Sequence, residues 1–314
     1  MADSKIEWTE KTLNPTTGCD KISAGCDNCY ALTMAKRLKA MGAAKYQNDG
    51  HPVTSGPGFA LTMHPDVLPE PLRWKKPATV FVNSMSDLFH ARVSREFLAQ
   101  FFAVMAATPQ HTYQILTKRP ERMSRILTDL CDCGDGHLPG VHFKSAMSWA
   151  ATPHSPTYVP GLTAKTGRLA MTSYDEMLPL PNVWLGTSVE LDKHADRADA
   201  LRATPAAVRF ISAEPLLGPL PSLDLTGIDW LILGGESGPG ARPVNAGWFN
   251  DLIDKAQDAG TAVFVKQMGS VWAQDTYVGG QPVARTDPKG GKWEHLPASL
   301  RIREYPTARQ AVTA

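Results

Sequence analysis

What most constrains this chain is a repeated alternation, in which short runs rich in β-branched and aromatic residues are each followed by a longer stretch with helical spacing. Strand candidates fall at 11–15, 79–82, 111–117, 183–186, 208–212, 230–233 and 262–266, with helical patterns among them at 30–41, 94–107, 122–130, 193–203 and 247–259. Strand and helix in alternation argue for βα units and a parallel sheet. A chain of 314 residues can bury a sizeable core, and one α/β barrel accommodates that length. The expected fold class is α/β, a partial (β/α) barrel of parallel strands with fewer than eight of them. Two stretches interrupt the rhythm. Residues 131–181 hold Pro, Gly, Ser and Thr throughout and read as a long inserted loop, and the chain beyond Ser270 turns polar and reads as an extension, 271–314, that frays. The barrel is therefore expected to span 1–270. Residues 42–77 read as an excursion with a short structured piece near 59–63, and no internal repeat recurs at a fixed period.

Almost every strand candidate runs into polar or charged residues. Ser84, Ser86 and Asp87 follow the second, and Thr117, Lys118 and Arg119 the third. Thr187, Ser188 and Glu190 come next, then Ser212 and Glu214, then Glu236 and Ser237, and finally Lys266 and Gln267. Charges after a strand are often only solvated loop residues. In a parallel barrel, however, the C-terminal strand ends converge on one mouth, where such folds hold their sites. Six recurrences at one structural phase favour a shared cavity.

The first strand candidate leads into the densest chemistry. Residues 14–41 read NPTTGCDKISAGCDNCYALTMAKRLKAM and place Cys19, Cys26 and Cys29 within eleven residues, at the same mouth as the other strand ends. Soft thiolates on a short loop suit an iron–sulfur cluster or a zinc ion. A four-iron, four-sulfur (4Fe-4S) cluster held by three thiolates leaves one iron open, whereas a structural zinc site closes with a fourth ligand. No fourth cysteine follows nearby, and the nearest histidine is His51. Cluster, zinc and unligated thiols stay open as readings, with the cluster favoured. A helix is expected to follow, with Ala31, Met34, Ala35, Leu38 and Met41 on one face and Lys36, Arg37 and Lys39 opposite.

NPTTGC followed by GCDNCYA resembles the cluster loop of radical S-adenosylmethionine (radical SAM) proteins, in particular the spore photoproduct lyase branch. The whole chain is similar to a three-cysteine-motif family of phage and bacterial proteins of unestablished function. SMSDLFH at 84–90, LTKRPERM at 116–123, RFISAEPLLGP at 209–219, LGGESGPGARP at 233–243 and FVKQMG at 264–269 carry that wider resemblance. It implies a barrel of radical SAM type, a 4Fe-4S cluster on Cys19, Cys26 and Cys29, and S-adenosylmethionine as cofactor. It further implies an electron donor such as a flavodoxin or ferredoxin and, through the lyase branch, a nucleic-acid base as substrate. Six residues separate Cys19 from Cys26 where radical SAM enzymes usually have three, and Asn28 stands where an aromatic usually precedes the last cysteine. Those enzymes also hold the methionine amino group with a Gly-Gly-Glu-like stretch after the second strand. Here that strand ends in SMSD, and Gly234, Gly235 and Glu236 come much later. Ser84, Ser86, Asp87, Gly234, Gly235 and Glu236 are the candidate cofactor contacts.

Composition narrows the setting. Hydrophobic residues at 43% and charged residues at 20% describe a globular chain rather than a disordered one. A net charge of +1 gives no global field for nucleic acid, so such binding needs a local patch. No run reaches the ~18 apolar residues of a membrane span. The opening MADSKIEWTEK lacks the apolar core of a secretory leader. Five cysteines, an odd number, argue against a disulfide framework. The expected location is the cytoplasm, with no membrane partner.

The remaining motifs are weaker. Residues 234–242, GGESGPGAR, leave backbone amides free to approach a ligand, and a tight turn explains them equally simply. Lys118, Arg119, Arg122 and Arg125 form a basic group that suits a phosphate or a cofactor carboxylate, or merely a solvated helix start. Glu190, Glu214, Lys118 and Lys266 are the catalytic candidates: the carboxylates suit proton work or a ribose hydroxyl, or they pair with Lys118 and Lys266 inside the barrel. CDCGDGH at 131–137 resembles a small metal loop but has poor geometry for one. Trp74, Trp184, Trp230 and Trp272 fit core positions. Two rivals to a radical SAM enzyme remain: a non-catalytic barrel whose loop is stapled by cluster or zinc and which binds nucleic acid or a partner protein, and a hydrolase using Glu190 and Glu214.

Overall fold

The computed structural model describes residues 2–4, 6–129, 137, 140–163, 169 and 177–307. Seven parallel strands pair in chain order. They are β1 (Lys11–Leu13), β2 (Thr79–Val82), β3 (Thr112–Thr117), β4 (Val183–Ser188), β5 (Val208–Ala213), β6 (Trp230–Gly234) and β7 (Ala262–Gln267). A two-residue strand, Ala2–Asp3, adds antiparallel to β1. Because each strand lies beside its predecessor, one kind of crossover repeats and the sheet curls into a half-barrel. Trp8 shows the curl directly, since its ring lies 4.8 Å from Phe81 on β2 and 5.9 Å from Trp230 on β6.

Strand side chains alternate between the two faces of the sheet, as their period of two requires. Val80, Val82, Tyr113, Ile115, Leu185, Ile211, Leu231 and Val263 belong to the large core under the helices. Phe81, Phe210, Trp230, Ile232 and Phe264 point the other way and close the concave side with Trp8. Both faces are therefore apolar over the strands, and polar chemistry is displaced to their ends.

The helices cover the convex face. Helix α1 (Tyr30–Ala40) follows the cysteines, and α2 (Arg95–Ala107) begins where the Ser94 side chain accepts the Phe97 amide at 3.1 Å. Each fully buried Phe or Leu on α2 contributes about 1.5–3 kcal/mol. Helix α3 (Pro120–Leu127) starts on a proline, which suits a first turn that lacks amide acceptors. The expected helix at 193–203 divides into a short 3-10 turn, Asp192–His194, and α5 (Arg197–Arg202). Helix α6 (Ala246–Ala259) carries Asn245 as its cap. No helix among the described residues is long and apolar enough to cross a membrane.

Three expectations need correction. The stretch 131–181 is not a loop throughout, because Val141–Ala150 forms a helix, α4, that buries Phe143, Met147 and Ala150 against α2. Phe143 meets Phe102 edge to face at 5.3 Å. The surrounding Pro, Gly and Ser hid a ten-residue helix with a normal apolar stripe. The segment 131–137 that resembles a metal loop, with Cys131 and Cys133, lies outside the described residues apart from His137. The chain after Ser270 does not fray over its described part. It forms α7 (Ser270–Asp275) and a small hairpin, then runs antiparallel beside the edge strand β7, with the Val265 amide donating to Ile302 O and the Glu304 amide to Val263 O, each at 2.8 Å. Finally, Met34 and Met41 leave the buried side of α1, where only Ala31 and Ala35 are fully covered.

Candidate functional site

The loop after β1 is built to lie across the half-barrel's mouth. Thr16–Thr17 pair antiparallel with Thr62–Met63 of the 42–77 excursion, and Gly18 bridges to Ser86 beyond β2. Gly18 sits at φ +83°, where a Cβ would stand 2.1 Å from Ala60 O, so only glycine passes there. Cys26 ends a 3-10 turn, Ala24–Cys26, and Cys29 is the N-cap of α1. Cys19 and Cys29 pack on Ala31, Ala35, Phe59 and Met85.

All three thiols border a single cavity of about 670 Å³. The six polar strand ends border it too: Ser84, Ser86 and Asp87; Thr117, Lys118 and Arg119; Ser188; Ser212 and Glu214; Gly235, Glu236 and Ser237; Lys266 and Gln267. Below them the wall becomes neutral and aromatic, with Thr12, Asn83, Trp8 and Phe81. The polarity is layered, with charge and sulfur at the rim and rings at the floor.

Three carboxylates from alternate strand ends hold the cysteine loop down. Asp87, after β2, accepts from the Thr117 hydroxyl at 2.7 Å, the Lys118 amide at 3.0 Å and Arg119 Nη1 at 2.8 Å. Arg119 in turn reaches Cys19 Sγ at 3.6 Å and Asp20 O at 3.0 Å. Glu190, after β4, is fully buried beneath the loop, where it accepts the Ser23 hydroxyl and pairs with Arg197 at 3.0 Å and Lys118 at 3.8 Å. Glu236, after β6, accepts Asn28 Nδ2 at 3.1 Å and Arg242 Nη2 at 2.5 Å, while the same guanidinium donates to Ala24 O at 2.9 Å. Little in the local sequence marks Ser23, Asn28, Arg197 and Arg242 for these roles. Only the position of Arg242 in the GGESGPGAR segment, six residues after Glu236, hinted at one of them.

This distribution sorts the candidate residues. Ser86 Oγ donates to Thr16 O at 2.8 Å and Ser84 Oγ meets the Asn14 side chain, so both tie the loop to β2 as well as bordering the cavity. Glu190 is a loop anchor walled off from the cavity's lining. Gly234 packs against Glu214 after β5, and a Cβ at Gly235 would stand 2.2 Å from Met268 O, so the two glycines serve close packing of β6 against the chain after β5 and the turn after β7 respectively. Glu214 and Lys266 remain as a cavity-lining ion pair at 2.6 Å.

The electrostatics follow from burial. Burial and then the Asp87 charge push the Cys19 thiol up to about 12, against the opposing pull of Arg119. Burial raises Cys29 as well, with Lys118 opposing. For Glu190, burial is outweighed by Lys118, Ser23 and Arg197, which hold the carboxyl below its ordinary value. For Glu236, burial is outweighed by Arg242 and Asn28 in the same direction.

Three half-buried thiols at one cavity rim, with two cations near them, fit an anionic thiolate-ligated cluster. Among the described residues no three His, Cys, Asp or Glu side chains are grouped closely enough to hold a single metal ion. A cluster asks for a wider spacing, since its thiolates bind different irons. No curated protein and no solved structure matches this chain. A family model does match, over residues 3–297, and the chain belongs to that family, described as a protein of unknown function (DUF5131).

Proposed function

We propose that the chain is an iron–sulfur protein of radical SAM type, with a 4Fe-4S cluster on Cys19, Cys26 and Cys29. The observation that carries this reading is the meeting of three thiols and six polar strand ends at one cavity, whose lining among the described residues includes no fourth cysteine and no histidine. When bound, such a cluster supplies the electron that cleaves S-adenosylmethionine and starts hydrogen abstraction from a substrate. The protein's part is positioning. Asp87, Glu190 and Glu236 hold the loop, while Lys118 and Arg119 offset the negative charge of the thiolates. The Glu214–Lys266 pair offers one anion and one cation to a zwitterionic amino acid moiety, and the neutral aromatic floor suits a planar ring. A nucleic-acid base, flipped from its stack, is the substrate class that this floor favours. A cytoplasmic setting accords with reduced thiols.

A second reading rests on the internal use of Ser86, Asp87, Glu190 and Glu236. With so much of the polar set spent on the loop, the cluster staples the fold and the cavity only binds. One experiment separates the two. After purification without oxygen, iron and sulfide are measured, and 5′-deoxyadenosine is assayed after adding S-adenosylmethionine and dithionite. Iron with cleavage supports the enzyme, and iron without cleavage supports the binder. Zinc alone, or no metal, removes both.

A further inference from the structure

A second cavity, of about 330 Å³, lies at the other end of the sheet from the thiols. Arg209, at the start of β5, lines it, whereas Ser212, near the end of that strand, lines the thiol cavity. The ends of α3 and α5, one side of α4 and the chain before β4 form its walls. Leu127, Leu178, Ala203 and Pro205 make part of that wall apolar, and Lys144, Arg202 and Arg209 bring three cations to it. Its volume falls within the roughly 300–1,000 Å³ of small-molecule sites.

Lys144 is the side chain here that the fold does not explain. It is only 7% exposed, yet its ammonium has no hydrogen-bond or ionic partner among the described residues. A lysine is seldom so covered unless it is paired. Its stem runs back along α4, with Cε 3.8 Å from where a Cβ on Gly140 would stand, and it delivers its charge to the cavity. The neighbouring helix ends do not use that charge. Arg209 already serves the end of α5, donating Nε to Leu201 O at 3.3 Å and Nη2 to Thr204 O at 2.9 Å. Arg202 is anchored through Nη1 on Asp224 O at 2.9 Å, and its carboxylate partners, Asp199 and Asp224, have side chains 72% and 58% exposed. Ion pairs so open to water are weak and readily exchanged for a ligand.

A buried ammonium beside a guanidinium selects an oxyanion. A phosphate ester carries a charge of about −1.5 to −2 near neutral pH and three acceptor oxygens, enough for both cations. The apolar wall then has a carbon skeleton to cover, which a bare ion lacks. We infer that this second cavity binds a small phosphate ester, with its phosphoryl oxygens on Lys144 and Arg202 and its carbon skeleton against Leu127, Leu178 and Pro205. The inference does not depend on the cluster reading.

The test is calorimetric titration of the full chain with glycerol 3-phosphate, inorganic phosphate and malonate. Glycerol 3-phosphate is expected to bind the wild type saturably and to raise its Tm. Lys144→Met keeps the bulk of the stem and drops the charge, and should weaken that binding about tenfold, the effect of losing one charged hydrogen bond. Arg202→Gln should weaken it in the same direction, and keeps the test open if Lys144→Met folds poorly. Inorganic phosphate should bind more weakly than the ester, and malonate more weakly still. Absence of ester binding by the wild type overturns the inference. So does unchanged binding in Arg202→Gln or in folded Lys144→Met, which would place the ester among the cations of the thiol cavity instead. Equal or tighter binding of inorganic phosphate, or a preference for malonate, overturns the assignment to a phosphate ester.

Discussion

Arg119 reaches the thiol of Cys19 at 3.6 Å with the same Nη1 that contacts Asp87 at 2.8 Å, so one guanidinium couples a strand end to the cysteine loop. Its Nη2 secures Asp20 O at 3.0 Å. Arg119→Ala removes all three contacts and leaves Asp87 buried without its cation. Breaking such a pair costs about 3 kcal/mol, at the low end of the usual range because Asp87 keeps its bonds to Thr117, Lys118 and Phe89. The expected outcome is a lower urea midpoint and a reconstituted iron content well below wild type. Arg119→Lys should recover part of the stability but little of the iron, since a point charge cannot span three acceptors. Wild-type iron in Arg119→Ala would remove this residue from the loop's architecture.

The protonation of Cys19 gives a pH dependence whose sign is fixed. In the metal-free protein its thiol is pushed up to about 12 from an unfolded value of 9.0, chiefly by burial. A raised pKa means that the folded state holds its proton more tightly, so this contribution is present below pH 9 and is lost as pH rises towards 12. The metal-free chain should therefore lose stability across that window, and Cys19→Ser should flatten the loss. Since a thiolate is the ligand, metal uptake must release the proton, and iron affinity should rise with pH between 7 and 9. Proton release on reconstitution, measured in a weakly buffered solution, checks the same linkage.

Glu190 titrates in the opposite sense. Its carboxyl lies below the ordinary value, so its contribution is present at neutral pH and is lost as pH falls below about 4.5, the unfolded value. Glu190→Gln leaves Arg197 and Lys118 without their anion and weakens the Ser23 anchor. A cost of about 3–5 kcal/mol at pH 7 is expected, as for other buried pairs broken on one side. Urea unfolding from pH 3 to pH 7 should show a shallower acid limb in the variant. An identical limb in both proteins would mean that Glu190 is not the anchor described.

The parallel sheet was legible because six of its seven strands, all but the short Lys11–Leu13, carry β-branched and aromatic residues on both faces and read as short, largely apolar runs. The convergence of strand ends was legible for the same topological reason: once the strands are parallel, Asp87, Glu190 and Glu236 must emerge on one side. The partners of those residues were not legible. Glu236 meets Asn28 across 208 positions, and Glu190 meets Ser23 across 167, distances over which no local pattern operates. Glu190, a plausible proton carrier on type alone, becomes an anchor only when its burial and its two cations are known. Helix α4 was missed because its flanks are rich in breakers. Met34 and Met41 were misplaced because an apolar stripe on a helix does not say whether its cover comes from the same chain.

The C-terminal segment was misjudged for a related reason, and its role can be tested directly. Its backbone extends the sheet beside β7, and Trp230 Nε1 donates to Glu304 O at 2.9 Å. The Tyr305 ring stacks on Trp230 with centroids 5.6 Å apart, covering the centre of the concave aromatic cluster. Two backbone bonds, one indole bond and one ring stack at about 1 kcal/mol each predict a loss of about 4 kcal/mol on deleting residues 301–314. Tyr305→Ala alone should cost about 1 kcal/mol, because it removes the stack and leaves the backbone pairing. Tryptophan fluorescence of the deletion should shift to the red as Trp230 meets water. A deletion that unfolds at the wild-type urea concentration, with unshifted emission, would show that the segment merely rests on the barrel floor and does not seal it.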